Sequence, residues 1–287
     1  MLNANDFKRA IQTIDALGVT PGVLVQVIEL ANDPNTDLET ISAVLRKDGP
    51  LAADVMRISN SPHYAPATPH SNLMSAISHL GMSEVIQVVN LSLARQLFAR
   101  DLSSYGISAH DYWSGSISAA LVMEALARPL RLNVEDAYTL GILHSLGRML
   151  INTVIEESGF TVRWDGRQPV EQWERENVGF DFAEAGALLL EHWHFPPATC
   201  AVIAEQLNPE AVIEPLSMLG ALQFTRRLVS LTDVGFKNQA WLLPAADPFA
   251  QASGLTPESV SQLVSACAEK YQGILLSVDL GWAEAKA

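Results

Sequence analysis

Apolar residues in this chain recur at three- and four-residue intervals, and almost nowhere do they alternate with polar ones. Leu38, Ile41 and Leu45 fall at i, i+3 and i+7, and Leu51, Val55 and Ile58 at i, i+4 and i+7. Each set lies along one face of a helix. Val85, Val88, Val89 and Ser92 continue the pattern, as do Trp113, Ile117 and Leu121. The boundaries are marked as well. Thr20-Pro21 reads as an N-cap followed by proline at the first helical position. Asp37 with Thr40, and Ser83 with Glu84, read as further starts. Gly81 reads as a stop and Gly147 as a position of close approach. The best strand candidate is the short stretch FTVRWDG, residues 160–166. The fold class expected is all-α.

The organisation that follows is an N-terminal lobe of short helices over 1–107, a second helical lobe over 108–231 and a helical extension over 232–287. The longest early irregular piece, SPHYAPATPHSN (61–72), carries three prolines. A crevice between the lobes, roofed by this loop, is the natural place for a ligand or peptide. With 287 residues, 48% of them hydrophobic, the chain can bury a core without disulfides. Cys200 and Cys267 are far apart, form no CxxC and read as packing residues of a reducing cytosol. No run of about 18 apolar residues suggests a spanning helix, and the charged, amphipathic start has no export signal. A cytoplasmic location is expected.

Thirty-two acidic against eighteen basic residues give a formal charge of −14. Binding to phosphates needs a local basic surplus, and only the scattered pairs Lys8-Arg9, Arg46-Lys47 and Arg226-Arg227 offer one. Nucleic acid and anionic membrane are therefore not expected as partners. GxSxG, GxxxxGK[ST], HExxH and GxGxxG are all absent. Glu156-Glu157 and Glu174/Glu176 read as a solvated face.

Two segments carry a family resemblance. Asp48-Gly49-Pro50-Leu51, then Asn60-Ser61-Pro62-His63-Tyr64, then Ala76-Ile77-Ser78-His79-Leu80-Gly81 follow the order and spacing of an HDOD module, with Gly49 as an insertion. The second segment, DYWSGSISAALVMEAL followed by EDAYTLGILHSLGRMLI, resembles the heart of an HD-type phosphohydrolase. The likeness spans roughly residues 15–230. That class needs histidines and aspartates converging on divalent metal that activates water. The resemblance places the first histidine near Gly115 and the His-Asp pair at His144-Ser145. It places the next histidine at Phe182, a further one near Glu205-Gln206-Leu207 beyond the landmark Trp193-His194-Phe195-Pro196, and a late aspartate around Gln223–Arg226. Of this set only His144 survives, as a vestigial metal candidate, and a lone imidazole does not hold a divalent ion. No metal or other cofactor, and no catalytic residue, is expected.

Other candidates have plainer readings. His144 reads as a core or capping histidine with one hydrogen bond. His192 and His194, two apart, point to nearly opposite sides of a helix end and read as capping and surface residues. His63 and His70 read as solvated. Asn60, Ser61 and Tyr64 are candidate interaction residues; the alternative makes Asn60 a left-handed helix terminator and Tyr64 a plug at the lobe interface. The resemblance implies a signal-transduction module, an adaptor or response-regulator-like output acting through contacts with signalling proteins. A metal-dependent phosphohydrolase with divergent ligands is the alternative, and a cyclic dinucleotide in the degenerate pocket a weaker third.

Overall fold

The computed structural model describes residues 4–15, 21–33, 35–61, 64, 66–212, 214–229 and 247–277. In chain order the helices are α1 (Ala4–Asp15), α2 (Pro21–Asn32), α3 (Leu38–Leu45), α4 (Gly49–Ser59), α5 (Leu73–Leu80) and α6 (Met82–Leu97). They continue with α7 (Ala109–Leu130), α8 (Val134–Leu143), α9 (Gly147–Ser158), α10 (Val170–Asn177), α11 (Phe182–His192), α12 (Pro197–Glu205), α13 (Met218–Leu228), α14 (Pro248–Ser253) and α15 (Pro257–Ser277). The protein is all-α, and no strand occurs among the described residues. The chain forms two compact units. One holds α1 and the described residues from Phe98 to Ala268; the other holds α2–α6 and the end of α15 from Glu269.

In the larger unit α7 is buried on nearly every side from Tyr112 to Leu126, with Tyr112 and Trp113 at the centre. An apolar helix with no solvated face is a core helix. Its neighbours reach it through missing side chains. A Cβ on Gly141 of α8 would lie 2.4 Å from the Ala120 Cα, so α7 and α8 touch backbone to backbone. Gly147 opens α9 at the close approach its sequence suggests: a Cβ there would sit 1.9 Å from the Phe182 carbonyl oxygen and 2.5 Å from the Gly186 nitrogen. α9 thus packs against α11. α1 lies along α9. The Thr13 hydroxyl donates to Glu157, and Asp15 accepts from His192 (2.9 Å) and from the Trp193 indole (3.1 Å). Cys200 and Cys267 are both buried thiols.

In the smaller unit α2 and α6 pack together, and α4 packs on α5 and α6. Asp37 caps α3 through the Thr40 N–H (2.8 Å) and Asp48 caps α4 through the Leu51 N–H (3.0 Å). Gly81 ends α5 with a φ of 78°. Asp54, buried on α4, is held between Arg57 (3.1 Å) and Arg95 (2.8 Å), which ties α4 to α6. Thr20 lies outside the described residues, and α6 begins at Met82, ahead of Ser83. No helix of the described residues is long and apolar enough to cross a membrane.

The FTVRWDG stretch does not become a strand. It runs without regular structure between two left-handed glycines, Gly159 (φ 72°) and Gly166 (φ 75°), and among the described residues makes one backbone–backbone bond, Trp164 N–H to Ser104 C=O at 2.8 Å. A strand requires a ladder, and a single rung does not make one. The sole β-bridge among the described residues joins Leu102 and Ile107.

Candidate functional site

Five segments of the larger unit bring together the positions to which the resemblance assigns metal ligands. Beside Gly115 on α7, the Ser116 hydroxyl donates to the Tyr112 carbonyl (3.1 Å) and meets the Ser145 hydroxyl at 3.3 Å. The Tyr112 phenol donates to the Ser145 carbonyl at 2.9 Å. Gln206, at the end of α12, donates from Nε2 to the carbonyls of His144 (2.9 Å) and Ile203 (3.0 Å). Arg226 on α13 donates to the Gln206 carbonyl at 2.9 Å. Phe182, the first residue of α11, lies under two guanidinium groups, with Arg148 at 4.3 Å and Arg226 at 5.1 Å from its ring centroid.

His144 is buried in the turn between α8 and α9, and its Nδ1 meets the Gly141 carbonyl at 2.7 Å. Burial, with Arg226 and Arg148 nearby, pushes its pKa down to about 3. It is a neutral core imidazole at physiological pH, anchored to the backbone of its own helix. Burial and Arg148 likewise lower Arg226 to about 10. Cation–π contact with Phe182 and one carbonyl hold that charge where water is largely excluded.

Glu174 is a correction to the sequence reading. It is fully buried, whereas Glu176 two residues on is exposed. Its Oε1 accepts from the Tyr105 hydroxyl (2.8 Å) and its Oε2 from the Phe182 N–H (2.8 Å). Residues two apart on α10 face different ways, so one carboxylate turns inward to satisfy the start of α11. Burial pushes Glu174 up to about 7, against the opposing pull of Arg148 and these two hydrogen bonds. Asp181 and Glu184 form a capping box beside it, and Arg175 ties Asp181 down. A sequence cue did exist for Arg148, a charge set between Gly147 and the run Met149-Leu150-Ile151, where an exposed residue is improbable.

Among the described residues no three His, Cys, Asp or Glu side chains come together in a way that could hold a metal ion. The residues present do not fit a divalent metal: the phenyl ring of Phe182 stands where the resemblance places an imidazole, and two guanidinium groups flank it.

The smaller unit places Asn60, Ser61 and Tyr64 around the loop before α5. Asn60 is not left-handed (φ −92°, ψ 1°). Its amide instead donates to the His70 carbonyl (3.1 Å) and accepts from the His70 N–H (2.7 Å), closing the loop as a peptide group would. Ser61 is buried, and the Tyr64 hydroxyl donates to Glu84 at 2.8 Å. His70 packs against His79 in a tilted ring pair, 4.8 Å between centroids, and is half-buried. His63 lies outside the described residues. In the larger unit His192 ends α11 paired with Asp15, and His194 follows in the left-handed region (φ 61°), so the two do not converge.

Comparison with known proteins agrees with this architecture. The family model described as HDOD domain matches residues 17–209. An HDOD domain protein of unknown function from Geobacter sulfurreducens has a solved structure with a TM-score of 0.67, at 20% identity, covering 96% of this chain and 98% of that one. A protein from Shewanella amazonensis, provisionally named a phosphohydrolase, gives 0.60 at 24% identity over 93% and 97% of the two chains. One provisionally named for signal transduction, from Marinobacter aquaeolei, gives 0.63 at 22% over 94% and 64%. An uncharacterized protein of Treponema pallidum is 20% identical over 225 residues, which are 77% of this chain and 43% of that protein's length.

Proposed function

Because the chain belongs to the HDOD family, we propose that it is a non-catalytic regulatory module of signal transduction that acts through contacts with other proteins. The observation that carries this reading is the stacking of Arg148 and Arg226 on Phe182. A hydrolase of the related HD type needs a site that attracts metal. A divalent ion about 5 Å from a guanidinium, at an effective dielectric constant of about 20, is repelled by on the order of 6 kcal/mol. Two such groups flank the ring, and among the described residues no three His, Cys, Asp or Glu side chains come together to offset them and hold an ion. The surviving His144 is already bonded to Gly141. The scaffold is retained and the chemistry is not, which leaves surface recognition as its use.

Purified protein dialysed against manganese, and separately against iron and magnesium, tests the reading by elemental analysis and by hydrolysis of bis(p-nitrophenyl) phosphate. Substoichiometric metal and no turnover above buffer are expected. One or two metals per chain, with turnover abolished in His144→Gln, would overturn the proposal and establish a metal-dependent phosphohydrolase.

A further inference from the structure

We propose that the irregular stretch Phe160–Trp164 is a docking edge that pairs, strand to strand, with an extended segment of a partner protein carrying a carboxylate. The inference rests on the proposed role in protein contacts and names where one such contact is made.

The edge is built from three observations. The N–H groups of Thr161, Val162 and Arg163, and the carbonyls of Phe160, Thr161, Val162 and Arg163, have no hydrogen-bond partner among the described residues. Exposure alternates along it as in a half-covered strand, with Val162 and Trp164 turned partly inward and Thr161 and Arg163 outward. Trp164 fixes the inner side through its N–H to Ser104 and its indole to the Gln168 carbonyl (3.0 Å). An exposed extended backbone with unpaired groups is a template for another strand.

The charge of the partner follows from Arg163. It makes no ion pair among the described residues, yet it is seated. Its guanidinium lies over Gly106, where a Cβ would come 2.6 Å from Nη2. Gly106 has a φ of 67°. In a chain with 32 acidic residues, an exposed guanidinium held by packing rather than by a carboxylate is a cation positioned for a partner's anion. Asp165 does not neutralise it, since its carboxylate is engaged by Arg167, with Oδ1 on the backbone N–H (3.0 Å) and Oδ2 at 3.4 Å from Nε. Phe160, half-exposed at the start of the edge, offers an apolar contact to the same segment.

The test is selection of phage-displayed random heptapeptides on the full chain and on Arg163→Glu, followed by amide hydrogen exchange with a selected peptide. Wild-type protein should enrich Asp- or Glu-containing, proline-poor peptides that protect residues 160–164. Arg163→Glu should lose at least tenfold in affinity for them and enrich Lys- or Arg-containing ones. Selected peptides that bind both proteins equally, protection elsewhere, or no enrichment on either protein would overturn the proposal. So would a concentration-dependent dimer lost in Arg163→Glu, because the edge would then pair with a second copy. None of these results depends on metal content or turnover, so this inference and the non-catalytic reading fail separately.

Discussion

Two buried titratable residues of the larger unit oppose each other in pH, and their difference can be measured. Glu174 is raised from 4.5 to about 7 in the folded state. Its contribution to stability is complete below about pH 4.5 and is lost as pH rises through 7, because the unfolded chain releases the proton first. His144 is lowered from 6.5 to about 3. Its contribution is complete above 6.5 and is lost as pH falls toward 3, because the unfolded chain takes up a proton that the folded one refuses. Over its window the effect is on the order of 3 kcal/mol for Glu174 and on the order of 5 kcal/mol for His144. Between pH 4.5 and 6.5 they nearly cancel in the native protein. Glu174→Gln should uncover the histidine, so that denaturant-measured stability falls as pH is lowered through that range. His144→Gln should do the reverse. Equal slopes in the two variants would show that neither residue controls the pH response. The sequence exposed one member of this pair and hid the other. His144 stood out through its family landmark. Glu174 lay among Glu171, Arg175 and Glu176 on a polar helix, and only the start of α11 beneath it made burial necessary.

At the scale of elements, the helix start at Asp37 was readable because it is chemical, and the starts at Asp48 and Asn72 carry the same signal although they were not read as caps. Asp37, Asp48 and Asn72 each accept a backbone N–H at the beginning of a helix, and such caps are local signals. The irregular stretch at 160–166 misled for the opposite reason: Val162 and Trp164 favour a strand, but a sheet also needs a neighbour, and that information lies elsewhere in the chain. The candidate site was legible only as a register of positions. Which residues stand at the positions the resemblance assigns to ligands could be read from the sequence, whereas the stacking of Arg148 and Arg226 on one ring depends on the crossing of α9, α11 and α13. Gly141 and Gly147 govern such crossings. Gly147→Ala should cost about 1–3 kcal/mol or more, as overpacking against backbone does, and Gly141→Ala should cost a similar amount. Gly22→Ala is the control. Its Cβ meets open space on an exposed turn of α2, so it should stabilise by about 0.4–1 kcal/mol. Urea unfolding of the three variants decides this, and a neutral Gly147→Ala would mean that α9 and α11 can separate without loss.

For the whole molecule, the formal charge of −14 sets a condition on any acidic partner. Such a partner is repelled at long range and attracted only once it reaches Arg163. The two effects separate with salt. At 0.01 M the screening length is about 30 Å, and repulsion acts well before contact; at 0.15 M it is about 8 Å, and a pair within contact distance is screened far less. Association of an acidic heptapeptide selected on the Phe160–Trp164 edge should therefore quicken as salt rises from 10 to 150 mM, with affinity passing through a maximum before direct screening of the Arg163 pair takes over. Stopped-flow fluorescence across that series gives the association rate directly. A rate that falls steadily from the lowest salt would mean that the field around the edge is locally positive and outweighs the net charge, as it does for proteins that steer anions to a basic patch. The two outcomes differ in sign, so the comparison does not depend on the absolute affinity of the peptide chosen.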